Sequence, residues 1–457
     1  MGVNEFSALC RQNYCQRKLE FMNYEDSLEY LLSFADFERS GRFQERPDVA
    51  PVIGLFGRLG DPHIGRTTIH VAGSKGKGSV AALTESMMRA TGRRTGLFTS
   101  PHLHAYTERI RIGGEPIAQA DWARLVTEMQ PAVEAEQKEL GDRRFVTFDL
   151  LTVLGFLAFR DAGVDAQIVE VGLGGRVDST NVFETKDVAV ITPLSFEHTA
   201  VLGDTIEEIT AEKAAIITRG CTAVMAPQPY PEAAAVVQSF ANRAGTKLVD
   251  VAAEYRWEVL SHDIGGQIVR IEGRSGTIEA RLPLLGTFQA ENAATAVAAV
   301  EALGSADLLM LVSGLEQVSW PGRLEVLRER PLVIGDGAHN RASARRLVES
   351  LRAYFGADRV TFIIGSSRDK DLTGLVEELR TLAERVYAVR SASPRAMEPS
   401  EIVAAFEGAG IPCKDVESVG TALERALAAT DEGGLICLAG SIFVAAEGRE
   451  YFERERV

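Results

Sequence analysis

Ile69-His70-Val71-Ala72-Gly73-Ser74-Lys75-Gly76-Lys77-Gly78-Ser79 begins as a short apolar run and turns into a glycine-rich loop. A strand-to-helix turn of this kind aims successive backbone N–H groups at a polyphosphate, and the helix behind it adds the positive end of its dipole. Lys77 offers a full charge to the β- and γ-phosphates, and Ser79 a hydroxyl near a metal. The spacing departs from the general phosphate loop, because Val71 stands at its first glycine and Gly78 intrudes between the lysine and the serine. The competing explanation is an ordinary glycine-rich turn. The stretch therefore predicts a nucleoside triphosphate site in an α/β protein.

The surrounding chain fits that expectation. It has 457 residues, enough for two or three domains, and 46% of them are apolar. Lys plus Arg number 49 and Asp plus Glu 64, a net charge of −15, which argues against a broad nucleic-acid surface. An anionic nucleotide then needs a local positive pocket. The five cysteines (Cys10, Cys15, Cys221, Cys413, Cys437) fit no metal-binding spacing and read as reduced, mostly packed thiols, with Cys10 and Cys15 the more exposed pair. No apolar run reaches the roughly 18 to 20 residues of a membrane span. The N-terminus, with Glu5 and no apolar core, does not read as a secretory signal. The expectation is a cytoplasmic monomer acting on small molecules, without nucleic-acid or membrane partners.

Strand and helix signals alternate along the chain, as parallel sheets require. A helix is predicted over Val80 to Thr91, and strands at Thr95 to Thr99, Ala166 to Val171 and Val188 to Thr192. An amphipathic helix from Thr205 to Thr218 carries Lys213. Two alternating runs, Ile268-Arg270-Glu272 and Ile278-Ala280-Leu282, predict a small antiparallel insertion, followed by helices from Glu291 to Leu303 and Ala306 to Gln317. Trp320-Pro321-Gly322-Arg323 marks a break, so domains are expected at 1–318 and 319–457. The second series has strands at Leu332 to Ile334, Val360 to Ile364, Arg385 to Val389 and Leu435 to Leu438, and helices near 342–354, 372–383, 399–407 and 419–429. It reads as a smaller doubly wound, Rossmann-like unit.

Ligands collect at the carboxyl ends of parallel strands. Ser100, Glu170 and His198 all fall there, and a hydroxyl and a carboxylate suit Mg²⁺, although imidazole is a less typical partner. Each has a plainer explanation: a turn before Pro101, a pairing of Glu170 with Arg176, an ordinary surface histidine. The glycine-containing loop Leu173 to Asn181 permits close ligand approach or is simply a surface turn. Asp336-Gly337-Ala338-His339-Asn340 ends the first strand of the second unit, where Asn340 also suits a helix cap.

Taken together, these motifs resemble the Mur ligase superfamily, and within it the folylpolyglutamate synthase and dihydrofolate synthase family, from about Tyr24 to Glu450. The family's Gly-Thr-Asn-Gly-Lys-Gly-Ser loop corresponds to Gly73-Ser74-Lys75-Gly76-Lys77-Gly78-Ser79, extra glycine included. Ser100-Pro101-His102-Leu103, Glu108-Arg109-Ile110, Glu170 to Arg176, Asp178-Ser179-Thr180-Asn181 and Glu212-Lys213-Ala214 match further family motifs. So do Gln289, Asn292, Trp320 to Glu325, Asp336 to Asn340, Asp369-Lys370-Asp371 and Gly440-Ser441. The resemblance implies a P-loop ATPase-like central domain followed by the Rossmann-like one. It implies ATP and Mg²⁺, with Ser100, Glu170, His198 and a CO₂-carbamylated Lys213 at the metal sites. It also implies that residues 73–79, Asn292, Arg323 and Asp336 hold the nucleotide. Lys77, His198, Lys213 and His339 would serve catalysis, and Arg176, Asp178, Ser179 and His339 the substrates. Departures are Ser74-Lys75 for Thr-Asn, Glu197 for an aspartate, Asp149 for a glutamate and Arg341 for a proline. Val146 stands where a threonine implicated in pteroate binding is frequent, which bears on the first substrate rather than on ATP.

The implied reaction is ATP-dependent addition of L-glutamate to dihydropteroate, to a tetrahydrofolate with or without glutamates, or to both, through an acyl phosphate. The alternatives are a ligase for a peptidoglycan precursor, or a non-catalytic nucleotide switch. Asp-Gly-Ala-His-Asn lacks the aromatic residue that peptidoglycan ligases tend to carry after the aspartate, and a switch would not need the metal set.

Overall fold

β1 (Thr67–Ala72) lies inside an eight-stranded sheet with β2 (Thr95–Phe98), β3 (Ile110–Ile112), β4 (Glu115–Pro116), β5 (Ala166–Glu170), β6 (Val188–Ile191), β7 (Thr222–Met225) and β8 (Lys247–Asp250). The strand order is β4-β3-β2-β5-β1-β6-β7-β8. The structure is a computed structural model that describes residues 22–36, 48–141, 144–304 and 306–455, so Cys10, Cys15 and the segment around Glu5 lie outside the described residues. Every pairing is parallel except β2 with β3 and β3 with β4. Helices cover both faces, which is why β5 and β6 are buried throughout and read as unbroken apolar runs. The register sets Val71 beside Glu170 on one side and Val190 on the other, so the carboxyl ends of β1, β5 and β6 open at one level.

The helix after the phosphate loop spans Lys77–Ala90 and is buried almost along its length, because the sheet lies on one side and the helices Thr287–Glu301 and Leu308–Gln317 on the other. Ser86 Oγ donates to the Gly314 carbonyl (2.7 Å), tying the layers together. The antiparallel insertion has three strands, β9 (Arg256–Asp263), β10 (Gly266–Gly273) and β11 (Gly276–Leu282), rather than the two predicted. Its phase also differs. Val269 and Ile271 face the core with Ile278, Ala280 and Leu282, and the register slips between Ile268 and Val269. β9 was not legible because its outer residues are polar and solvated.

The second sheet is β12 (Glu325–Glu329), β13 (Leu332–Gly335), β14 (Val360–Ile364), β15 (Ala383–Ala388), β16 (Cys413–Asp415) and β17 (Leu435–Ala439), in the order β12-β13-β17-β14-β15-β16. All pairs are parallel except β12 with β13. The four predicted strands form its middle, and the two short edge strands escaped sequence reading. Helices Arg341–Phe355, Leu372–Leu379, Pro399–Gly408 and Val419–Ala429 stand where expected, although the second ends four residues early as the chain turns into β15. The helix carrying Lys213 is likewise shorter, Ile206–Ala214, and is capped by Thr205 accepting from Glu208 N–H (3.2 Å). The described cysteines Cys221, Cys413 and Cys437 are free and buried, as packed thiols should be. Among the described residues no helix is long and apolar enough to cross a membrane.

Candidate nucleotide and ligation site

The loop leaving β1 is shaped by what surrounds it. Gly73 has φ +147, and a Cβ there would fall 1.9 Å from Thr192 Oγ1, so only glycine fits. Ser74 and Lys75 donate their N–H groups to the Pro193 carbonyl (3.1 and 3.0 Å). Gly78, the residue foreign to the general phosphate loop, lies under Trp320: a Cβ would meet Cζ2 of the indole at 2.9 Å. The extra glycine is thus the imprint of a tryptophan from the segment joining the two sheets.

Lys77 and Lys213 converge on one atom. Their Nζ groups donate to the Gly73 carbonyl at 3.1 and 3.0 Å. Lys213 also donates to Glu197 Oε1 (2.9 Å), while Lys75 lies 3.6 Å from Glu197 Oε2. Lys213 is 1% exposed, which overturns the solvated-helix explanation of this lysine. Its two sequence neighbours are occupied elsewhere: Glu208 caps the helix, and Glu212 takes Arg176. Burial pushes the Lys213 ammonium down, although Glu197 supports its charge. Glu197 itself is held well below the usual carboxylate range: Lys213, Lys77 and Lys75 outweigh its burial. In a chain of −15, this is the local positive pocket that a polyphosphate needs.

Glu170 ends β5 and accepts the Ser100 N–H (3.1 Å). Its burial pushes the carboxyl up, while Lys77, the Ser100 N–H, Arg323 and Arg109 pull it back. The proposed partner Arg176 lies elsewhere, fixed to Glu212 Oε1 by Nε and Nη2 (3.0 and 2.8 Å). His198 occupies a left-handed backbone position at φ 49 and starts a one-turn helix. Packing and the charges of Lys370, Lys213 and Lys77 lower it to about 4 against the pull of Glu197, and solvent on its open side softens the drop.

The second unit faces the same pocket. Asp336 accepts the N–H groups of Leu324 (2.9 Å) and Ala338 (2.8 Å), with the Arg323 charge beside it. His339 is neutral, lowered to about 3 by burial and then by Lys75 and Lys370. Its Nδ1 lies 2.8 Å from the Gly337 carbonyl, so Nδ1 carries the proton and Nε2 is left as an acceptor. Asn340 caps the helix that follows, accepting from Ser343 N–H (3.0 Å). Asn292 reaches the phosphate loop from the helix Thr287–Glu301, its Oδ1 2.4 Å from where a Cβ on Gly76 would sit.

The structure thus brings together residues 73–79, Glu170, Ser100, His198, Lys213, Asn292, Arg323, Asp336 and His339. Asp178 and Ser179 turn inward instead. Asp178 accepts from Leu173 N–H (2.8 Å), Thr180 N–H (3.0 Å) and the Thr180 hydroxyl; Ser179 donates to Asp149. Behind them runs a buried chain that sequence reading did not find: Lys186 Nζ to His70 Nδ1 (2.9 Å), then His70 Nε2 to Thr180 Oγ1 (2.9 Å). Other unforeseen participants are Glu197, Trp320 and Lys370. Lys370 lay in a quoted motif without a role; its charge bears on His198, His339 and Lys75.

Metal chemistry can be tested on these donors. Glu170 and Ser100 offer hard oxygens beside the phosphate loop and suit Mg²⁺. Lys213 as it stands does not fit a cation, being an ammonium paired with Glu197. Among the described residues there is no cluster of three His, Cys, Asp or Glu of the kind that holds a metal unaided.

Residues 71–300 match the Mur ligase middle domain, and residues 322–442 the Mur ligase glutamate ligase domain. A dihydrofolate synthase/folylpolyglutamate synthase of Bacillus subtilis is 36% identical over 376 residues, 80% of this chain and 86% of that one. A probable bifunctional folylpolyglutamate synthase/dihydropteroate synthase of Halobacterium salinarum is 33% identical over 95% of this chain, which spans only 52% of that protein's length. The structure of E. coli FolC in complex with DHPP and ADP superposes with a TM-score of 0.84 at 28% identity, covering 97% of this chain and 100% of that one. The chain belongs to the Mur ligases, and within them to the dihydrofolate synthase/folylpolyglutamate synthase family.

Proposed function

We propose that this protein is an ATP-dependent ligase that joins L-glutamate to dihydropteroate, to tetrahydrofolate or its polyglutamates, or to both. The observation that carries this reading is the convergence of Lys77 and Lys213 on the Gly73 carbonyl, with Glu170 and the Asp336–His339 turn facing the same pocket. A free carboxylate does not acylate an amine, because its oxygen is a poor leaving group. Phosphorylation removes that obstacle. An oxygen of the acceptor carboxylate bonds to the γ-phosphorus, the bond from that phosphorus to the β-bridging oxygen breaks, and ADP leaves. The unprotonated α-amine of glutamate then attacks the acyl carbon. Inorganic phosphate departs and the nitrogen loses a proton, leaving an amide.

The chain's own work is placement and charge. The loop N–H groups and Lys77 hold the γ-phosphate, Asp336 and Arg323 the nucleotide, and Asn292 braces the loop. Lys370 adds a cation from the second domain beside neutral His339, suited to the carboxylates and amine of glutamate. Closure of the second domain excludes the water that competes for an acyl phosphate. Mg²⁺ would be held by Ser79, Ser100 and Glu170, and when bound it neutralises charge on the phosphate oxygens. Lys213 would join a second such site once its amine has added CO₂ and released a proton, which converts an ammonium into an oxygen donor. Burial favours the free amine that this needs. Arg176 would reach substrate from the rim of the pocket. Asp178 and Ser179 would serve it indirectly by holding the central loop. The expected working form is a cytoplasmic monomer.

The test is phosphate release by the purified protein with Mg-ATP and glutamate, supplied with dihydropteroate or tetrahydrofolate in parallel. Acceptor-dependent phosphate from at least one supports the reading, and which one responds assigns the substrate. ATP binding with no acceptor-dependent phosphate from either would leave a nucleotide switch.

A further inference from the structure

A second cavity, of about 370 Å³, lies outside the ligation site, between the β3–β4 hairpin, the later turns of the helix Lys77–Ala90 and the segment Gln317–Trp320. Its size is in the range of small-ligand pockets. Two buried donors on its walls, Arg111 Nε and Trp320 Nε1, have no hydrogen-bond partner among the described residues. Buried N–H groups are ordinarily satisfied, so two at one cavity point to an acceptor that enters it. Arg111 spends Nη1 on the Gly114 carbonyl (3.2 Å), which leaves the Nε edge of its fork for a planar carboxylate. The guanidinium lies 5.8 Å from the centre of the Trp320 ring, so its orientation is braced. Nearby acid is largely committed: Glu85 Oε1 takes Arg89 Nε (3.2 Å) and the Thr95 hydroxyl, and Glu115 is exposed. The remaining wall includes Ala82, Leu97 and Val318, which suits an apolar body.

We infer that this cavity binds a small organic carboxylate with an aromatic or apolar body, and that occupancy is felt at the phosphate loop through Trp320. The link is steric. The indole edge that carries Nε1 also lies against Gly78: a Cβ there would be 2.9 Å from Cζ2 and 3.4 Å from Nε1. A ligand that fixes the ring fixes the first turn of the phosphate-binding helix, and linkage makes the effect mutual.

Benzoate is the probe, with benzamide as its neutral counterpart and inorganic phosphate as an anion without an apolar body. Titration calorimetry on the full chain should detect benzoate, with benzamide and phosphate binding at least tenfold more weakly. Arg111→Gln should weaken benzoate at least tenfold while ATP still binds, and Arg111→Lys, which keeps the charge but loses the fork, should weaken it as well. Saturating benzoate should shift the Kd for ATP at least threefold, to a limit that more benzoate does not exceed. No benzoate binding, equal binding by both variants, or benzamide binding as well as benzoate would overturn the inference. Displacement by ATP without limit would assign the cavity to the nucleotide site, and an unchanged ATP Kd would remove the role of Trp320.

Discussion

Single residues carry the chemistry, and their charges decide what they can do. On the proposed reaction, Lys77, which shares the Gly73 carbonyl with Lys213, holds the γ-phosphate as charge moves to ADP. Lys77→Ala should lower acceptor-dependent phosphate release by roughly a hundredfold or more while the melting temperature holds; retained turnover would contradict the assignment. Lys213 lies in a different balance, between burial that favours the amine and Glu197 that favours the ammonium. With ¹³C-bicarbonate, a carbamate resonance should appear in the wild type and be absent from Lys213→Met. Identical spectra would remove Lys213 from the metal site. Lys186 offers a stability test. It is 5% exposed and lowered to about 7 by burial. The unfolded chain therefore binds more protons than the folded one between pH 7 and about 10.5, and wild-type stability rises with pH across that window. Each pKa unit is worth about 1.4 kcal/mol. Denaturant melts of wild type and Lys186→Met should show the wild type gaining on the variant by a few kcal/mol from pH 7 to 10. A constant difference would mean the amine titrates normally.

At the scale of elements, the informative junction is the start of the phosphate-loop helix against the segment that joins the domains. Gly78→Ala pushes a methyl group into the Trp320 ring and should weaken ATP binding about tenfold. Trp320→Ala in the same chain should restore most of the loss, giving a coupling of about 1 kcal/mol or more between two positions far apart in sequence. Additive effects would mean the contact is passive. The same junction shows what sequence can and cannot tell. The phosphate loop, its flanking strands and the middle strands of both sheets were legible, because fully buried strands are short apolar runs between turn signals. The edge strands β4, β8, β12 and β16 were not, since pairing on one side alone leaves no burial pattern, and the short interior strands β3 and β7 of the first sheet were missed as well. The Gly78–Trp320 contact, the pairing of Lys213 with Glu197 and the Lys186–His70–Thr180 chain were invisible for another reason: each joins residues that only the tertiary fold brings together. Glu170 and Arg176 show the converse, two residues close in sequence whose pairing, the plainer alternative for Glu170, the fold does not make.

At the scale of the whole molecule, two α/β units contribute to one pocket, the first the phosphate loop and Glu170, the second Asp336, His339 and Lys370. Contacts between them include His104 Nδ1 with Glu450 Oε1 (2.8 Å), the Tyr354 hydroxyl with Gln267, and Leu285 packed into the core of the second unit. The exposed His104–Glu450 pair contributes little to stability by itself. Glu450→Gln should leave the melting temperature within a few degrees of wild type, and a large loss would show that the contact holds the domains. If the two units together turn an acid into a mixed anhydride, the fate of the acid's oxygens reveals it. With both acceptor carboxylate oxygens labelled as ¹⁸O, Mg-ATP and glutamate, one ¹⁸O should appear in each inorganic phosphate released and the other should remain in the amide. Phosphate free of label, with amide still formed, would contradict the acyl phosphate and the reading of the pocket built on it.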